Sequence, residues 1–380
     1  MNETISFLIT ITTLIVVILL DKTKYNWLQK VLEWVPAILF AYIVPAVITH
    51  IFHLDLSKVP LHNFSKNVIM PLAIILVMSA LSFRQLKAVG WKPIAVFLSG
   101  SFAVAILPIL LLLFANTFTD VFQIELIDKK YWMGFVTIVG SWVGGSTSQL
   151  VLKELVNCPE PIFLIILVLD NLLVNIWTIL MFQFIKRSDG INKFFSIKIK
   201  TEDFIPDKIL PKGKSLKDII SLSVICIVVV GLSWFYVESF ILKVMILSVA
   251  GLVFGNIFQW WNHGFVIKIG GYLIIIIMAI LGLKLDFSNF SISPYIILFA
   301  VVWLVLHYVV MILVAYLLKI NMAWVAVGSM ANVGGISTAP AVTKSYNEEW
   351  MPHAILLAIL SMVTGTYWGM LSIYLFKSLF

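Results

Sequence analysis

Charge is scarce in this sequence. Only 12% of its 380 residues are charged, about half the share of a soluble domain, which excludes a chain that keeps most of its surface in water. Two cysteines, Cys158 and Cys226, are too few for a disulfide framework, and Cys226 falls inside an apolar run. Enzyme signatures are missing as well: no HExxH, GxSxG or GxxxxGK[ST] occurs, so three common catalytic templates have nothing to rest on. The serines after glycine in "GGSTS" would need a nearby base, and neither glycine-rich segment contains a histidine. An enzyme is not expected, nor a cofactor, a disulfide or a structural metal site.

What fills the chain is hydrocarbon: 61% of the residues are apolar, against roughly 45–50% in soluble domains. Apolar runs recur throughout, and most belong to stretches of about 20 residues, enough to cross a hydrocarbon core of about 30 Å. An all-α polytopic membrane protein follows, with the lipid bilayer as its first partner. The net charge of +7 comes from basic residues in loops between spans; these read as lysines that set topology, and no nucleic acid is expected. The first run, Ile5 to Leu20, lacks a basic leader and a small-x-small cleavage site, so it reads as a retained helix.

Twelve segments can be drawn, in two blocks of six. The first block covers about 5–20, 31–50, 66–83, 91–114, 131–153 and 160–186; the second covers about 216–236, 240–257, 265–284, 294–318, 322–344 and 352–377. Residues 1–186 form a first membrane repeat, 187–217 a cytoplasmic linker, and 218–380 a second repeat. "VGGSTS" from Val143 aligns with "VGGIST" from Val333, and Pro161 falls opposite Pro352. Internal duplication of this kind is usual in secondary transporters.

Charge bias tests how the two glycine segments run. If both cross the membrane, 10 of the 26 Lys and Arg lie inside and 16 outside, against the positive-inside rule. If each enters and leaves on one side, 18 lie inside and 8 outside, and the rule is met. Each block then makes five crossings, an odd number, so the two repeats insert with opposite orientation. The expectation is an inverted pair with interrupted helices or re-entrant glycine hairpins whose tips approach each other.

Non-helical backbone at membrane depth survives only where it is buried in protein or lines a cavity, and glycine supplies the dihedrals such a break needs. A half-helix starting after the break offers free amides and partial positive charge to an anion. Gly144, Gly145, Ser146, Thr147 and Ser148 in one copy, and Asn332, Gly334, Gly335, Ser337 and Thr338 in the other, are therefore the candidate substrate site, with Gln149 beside it. In "LVLDNLLVNIW", Asp170 lies well inside a span, where an ionisable group is a functional candidate. Asp170, Asn171 and Asn175 form the candidate cation site, for Na⁺ held by oxygen ligands or a proton on the carboxylate. The matching stretch of the second block offers Ser361, Thr364 and Thr366 but no acid, which favours a single asymmetric cation site. Lys153 and Glu154 read as a local pair, Lys284 and Asp286 as snorkelling groups at a helix end, and His307 as a hydrogen-bonded structural histidine or a proton relay.

The motifs "GSWVGGSTSQ", "ANVGGISTAPAV" and "LDNLLVN" resemble the YjcL-like family of bacterial integral membrane proteins, a domain-of-unknown-function family. Families of this kind look like distant relatives of the cation/proton antiporter and anion transporter superfamily. The resemblance implies a multi-pass protein of the bacterial cytoplasmic membrane, with a scaffold domain and a core transport domain in which the four glycines cross and Asp170 faces them. The paired aspartates of electrogenic antiporters are replaced here by "LDN", which tells against pure Na⁺/H⁺ exchange. The expected activity is secondary active transport of a small organic anion coupled to Na⁺ or H⁺. The alternatives are a cation/proton antiporter without organic substrate, and a channel or a non-transporting receptor or assembly factor. A homodimer is compatible with this reading.

Overall fold

A computed structural model describes residues 2–25, 27–29, 32, 37–197, 215–284, 292–347 and 350–380. Most of the expected linker, with Lys200, lies outside the described residues, as do Lys30 and Asp286. Among the described residues the regular structure is entirely helical. The principal helices are α1 (Asn2–Asp21), α2 (Ala37–Ile51), α3 (Leu61–Met78), α4 (Trp91–Ala115), α5 (Tyr131–Val156), α6 (Glu160–Lys186) and α7 (Ser188–Phe194), then α8 (Leu216–Tyr236), α9 (Phe240–Ile257), α10 (His263–Gly282), α11 (Pro294–Leu317), α12 (Ala323–Val333), α13 (Gly335–Lys344) and α14 (Met351–Leu379). Among the described residues, ten helices are long and apolar enough to cross a bilayer, and α12 and part of α2 are shorter apolar helices.

The chain divides into two compact units, each drawn from both halves of the sequence. One comprises Met1–Ala80, Pro159–Ile165 and Pro211–Ser291; the other comprises Leu81–Cys158, Ile166–Leu210 and Ile292–Phe380. The first unit packs by close backbone approach. A Cβ added at Gly255 would lie 2.2 Å from the Ser79 carbonyl oxygen, and one at Gly251 would lie 2.6 Å from that of Ile75. The four-residue spacing puts both glycines on one face of α9, which lets α3 come close, as small residues do between membrane helices. At the other side of this unit Gly282 of α10 meets the Tyr42 carbonyl, and the Tyr42 hydroxyl donates to Glu160 at 2.9 Å. Outward-facing side chains of α8, such as Ile220, Val224, Ile227 and Leu232, are exposed, the pattern of a helix that faces lipid.

The second unit holds both glycine segments. Its α14 lies along α5 so tightly that a Cβ at Gly365 would sit 2.2 Å from the Gly144 Cα. Trp142, Trp177 and Tyr308 pack around the buried His307 ring, and Trp303 and Phe135 extend the cluster from Trp142. Tryptophan in such a place is not a membrane-interface anchor. It is packing, and Trp142 also carries a polar contact described below.

Candidate functional site

Both glycine segments reverse direction. In α5 the backbone leaves helical geometry at Gly145, with φ 66° and ψ −170°. Gly140 and Gln149 would be about 13.5 Å apart along a straight helix, yet a Cβ at Gly140 would lie 2.9 Å from the Gln149 nitrogen and 2.7 Å from the Leu152 side chain. The second arm of α5 therefore folds back along the first. In the other segment α12 ends at Gly334, Gly335 takes φ 70°, and α13 follows. Asn321 and Tyr346 flank that segment and would stand about 37 Å apart on a straight helix; the Asn321 amide donates to the Tyr346 hydroxyl at 2.9 Å.

Within each glycine pair the two positions answer different demands. The first is a matter of room: a Cβ at Gly144 would lie 2.1 Å from Ser148 Oγ, and one at Gly334 would lie 2.0 Å from Thr338 Oγ1. The second is a matter of dihedral, since Gly145 and Gly335 have positive φ and a Cβ on either would meet nothing within 4 Å, so only the left-handed conformation excludes a side chain. Ser148 and Thr338 occupy the same place relative to their glycines, and the two hairpins repeat one design.

The tips meet on α14. Ser361 Oγ donates to the Val143 carbonyl at 2.6 Å and lies 3.4 Å from Asn332 Oδ1, so one hydroxyl touches the chain just before each break. Asn332 is anchored in turn: its Oδ1 accepts from Ser101 Oγ at 2.8 Å and its amide donates to the Phe97 carbonyl at 3.1 Å. Ser148 Oγ accepts from Thr366 Oγ1 at 3.0 Å. Thr147 is 4% exposed, and its hydroxyl, like that of Thr338, is buried without a protein partner. An unmet buried hydroxyl costs about 1–3 kcal/mol, and each hairpin carries one within its first turn after the break. Ser146 is half-buried. Ser337 falls in the first turn of α13, and its side chain lies outside the described residues.

Asp170 is 3% exposed and joins the two arms of the first hairpin. Its Oδ1 accepts from Trp142 Nε1 at 2.7 Å and its Oδ2 from Gln149 Nε2 at 3.2 Å, and Ser141 also hydrogen-bonds to it. Asn171, half-buried, donates its amide to the Leu167 carbonyl of its own helix at 2.7 Å; Asn175 is half-buried one turn further on. The imidazole of His307 contacts the Leu304 carbonyl through Nδ1 and Ser329 Oγ through Nε2. Trp177 Nε1 donates to the same Ser329 hydroxyl at 2.9 Å. Lys153 Nζ lies 3.5 Å from Glu154 Oε1, the expected local pair.

Three participants escaped the sequence reading: Trp142 as the donor to Asp170, Ser101 as the support of Asn332, and Ser361 as the link between tips. Trp142 had a signal, because it stands mid-segment inside "GSWVGG" and not at a span end. Ser101 and Ser361 share long apolar helices with other hydroxyls, Ser99 in α4 and Thr364, Thr366, Ser372 and Ser378 in α14, and only the packing distinguishes them from those that bond back to their own helix.

These features define an all-helical, multi-span membrane protein whose polar centre is a pair of converging hairpins. The family described as "Protein of unknown function (DUF819)" matches residues 6–379. The chain belongs to that family, a membrane family of the kind its glycine motifs resemble. No curated protein matches it.

Proposed function

We propose that the protein is a secondary active transporter that moves a small organic anion, coupled to Na⁺ or H⁺, across the bacterial cytoplasmic membrane by alternating access. The observation that carries this reading is the meeting of two glycine-broken hairpins at Ser361, each with a buried hydroxyl, Thr147 or Thr338, that lacks a protein partner. Broken helices whose N-terminal ends converge suit a carboxylate. Ser146, Thr147, Ser148, Ser337 and Thr338 orient the substrate, and Asn332 holds the second tip in place. Asp170, with Asn171 and Asn175, serves the coupling cation. Because its carboxylate bridges both arms of the first hairpin, a change in its charge state changes how firmly those arms are tied.

Two units that each take segments from both halves of the chain suit a scaffold and a moving core built from inverted repeats. A buried carboxylate also favours the second reading, a cation/proton antiporter with no organic substrate. Purified protein in liposomes separates the two: uptake of a labelled carboxylate under an imposed Na⁺ or proton gradient is the expected result. Cation exchange without carboxylate uptake supports the antiporter, and flux indifferent to any gradient supports a channel. Labelling of single cysteines at Lys200 and Asn157 from opposite sides of the membrane is expected of the hairpin topology.

A further inference from the structure

The hairpin tips hold a definite amount of charge. A helix N-terminus acts as roughly half a positive charge; the arm after Gly145 and the arm α13 after Gly335 bring two such termini together, so the site offers about one positive charge in all. Glycine at each break has no side chain with which to cap the following amides, and α13 has no side-chain cap. Among the described residues, the lysines of the hairpins and of the helices beside them stand away from the breaks. The nearest along the first hairpin's second arm is Lys153, eight positions beyond Gly145 and about 12 Å along the helix, lying 3.5 Å from Glu154. Lys344 stands at the far end of α13. On the neighbouring helices, Lys92 donates to the Leu318 carbonyl at 3.1 Å, and Lys186 and Lys377 fall in the last turns of α6 and α14. His307 is engaged by Leu304 and Ser329. Asp170, which bonds to both arms of the first hairpin, is an acid, and the buried His353 ring packs edge-on against Trp324 in α12.

A ligand with two negative charges would leave one of them uncompensated among buried groups, which is costly. The hydroxyls say the same about geometry. Thr147 is in the first turn after its glycine, where the Cα–Cβ bond tilts toward the helix N-terminus, and Thr338 Oγ1 lies against Gly334. Each hydroxyl is buried without a partner, so each hairpin has one donor to give to a ligand oxygen.

Resting on the transporter reading above, we infer that the site is selective for small monocarboxylates over dicarboxylates, the single ligand charge being set against two half-helix N-termini and its oxygens hydrogen-bonded by Thr147 and Thr338. The test separates charge from size by pairing succinate with its monomethyl ester, alongside lactate and acetate. Thermal stabilisation and uptake competition are measured on the full chain in detergent and in liposomes at one fixed pH. The monoester and the other monocarboxylates are expected to stabilise and compete at least about tenfold more strongly than succinate, and Thr147→Val or Thr338→Val is expected to weaken them about tenfold while raising thermal stability without ligand, because an unmet buried hydroxyl is removed. Succinate binding as well as its monoester would overturn the charge assignment and leave the organic-anion reading standing. Full binding by both valine variants would overturn the role of the hydroxyls. If no carboxylate binds, both the inference and the transporter reading on which it rests are rejected.

Discussion

At the first hairpin one carboxyl group takes a hydrogen bond from each arm, Trp142 on one side and Gln149 on the other. The second hairpin has no acid in its own segment; Asn332 holds its tip and Asn321 and Tyr346 its base, and the carboxylate that Tyr346 reaches, Asp189, is exposed. The base is tied further: Asn192 of α7 donates to Asn321 Oδ1 at 2.8 Å and accepts from the Met322 amide at 2.8 Å. Both arrangements close a hairpin, but they respond to different things. The buried carboxylate clasp at Asp170 changes when a proton or cation reaches the interior, whereas the amide clasp at the second tip, Asn332, does not. The glycines match in the two hairpins, and the clasps differ.

That contrast can be broken in steps. The largest effect is expected where the shared design has no slack: Gly365→Val, on the helix against Gly144, should cost about 3 kcal/mol or more through overpacking, seen as loss of monodisperse protein on size exclusion. Gly271→Val, where a Cβ would meet nothing within 4 Å, is the control and should lose only a few tenths of that. Next comes Asp170→Ala, which strands the Trp142 and Gln149 donors and should cost about 3 kcal/mol, while Asp170→Asn should recover most of the thermal stability. Equal damage from both variants would mean that charge, and not the bridge, holds the first hairpin.

Gly145→Ala and Gly335→Ala should each cost about 2 kcal/mol through backbone strain, and similar losses at both would confirm that the breaks are equivalent even though the clasps differ. The smallest effect is expected from Tyr346→Phe, which removes the hydroxyl that accepts from Asn321 and donates to Asp189 at 2.9 Å. It should cost about 1 kcal/mol and speed hydrogen exchange in residues 323–344 but not in 131–156. Faster exchange in both segments would show the hairpins to be one cooperative unit.

Much of this was readable in the residues. The helical class followed from apolar content, and the reversals at "VGG" followed from a count of lysines on the two sides of the membrane, a rule that works because moving charge through lipid is expensive. Asp170 stood out for the same reason. Its partners did not, because hydrogen-bond donors such as Trp142 and Gln149 become specific only when two arms fold together. Asn332 was legible as polar at depth, but its ties to Ser101 and Phe97 cross more than 200 positions. Such contacts belong to the packing of α4 against α12, which no local pattern records.

Gly145 carries one last consequence, and it concerns handedness. The mirror image of its conformation, φ 66° and ψ −170°, is an ordinary extended geometry for an L-residue. The chain at this point follows the path of a D-amino acid, and glycine is the one coded residue that can take it without strain. A semisynthetic protein with D-alanine at position 145 should keep the hairpin while L-alanine weakens it, so that the same methyl group, differing only in chirality, decides whether the two arms lie side by side.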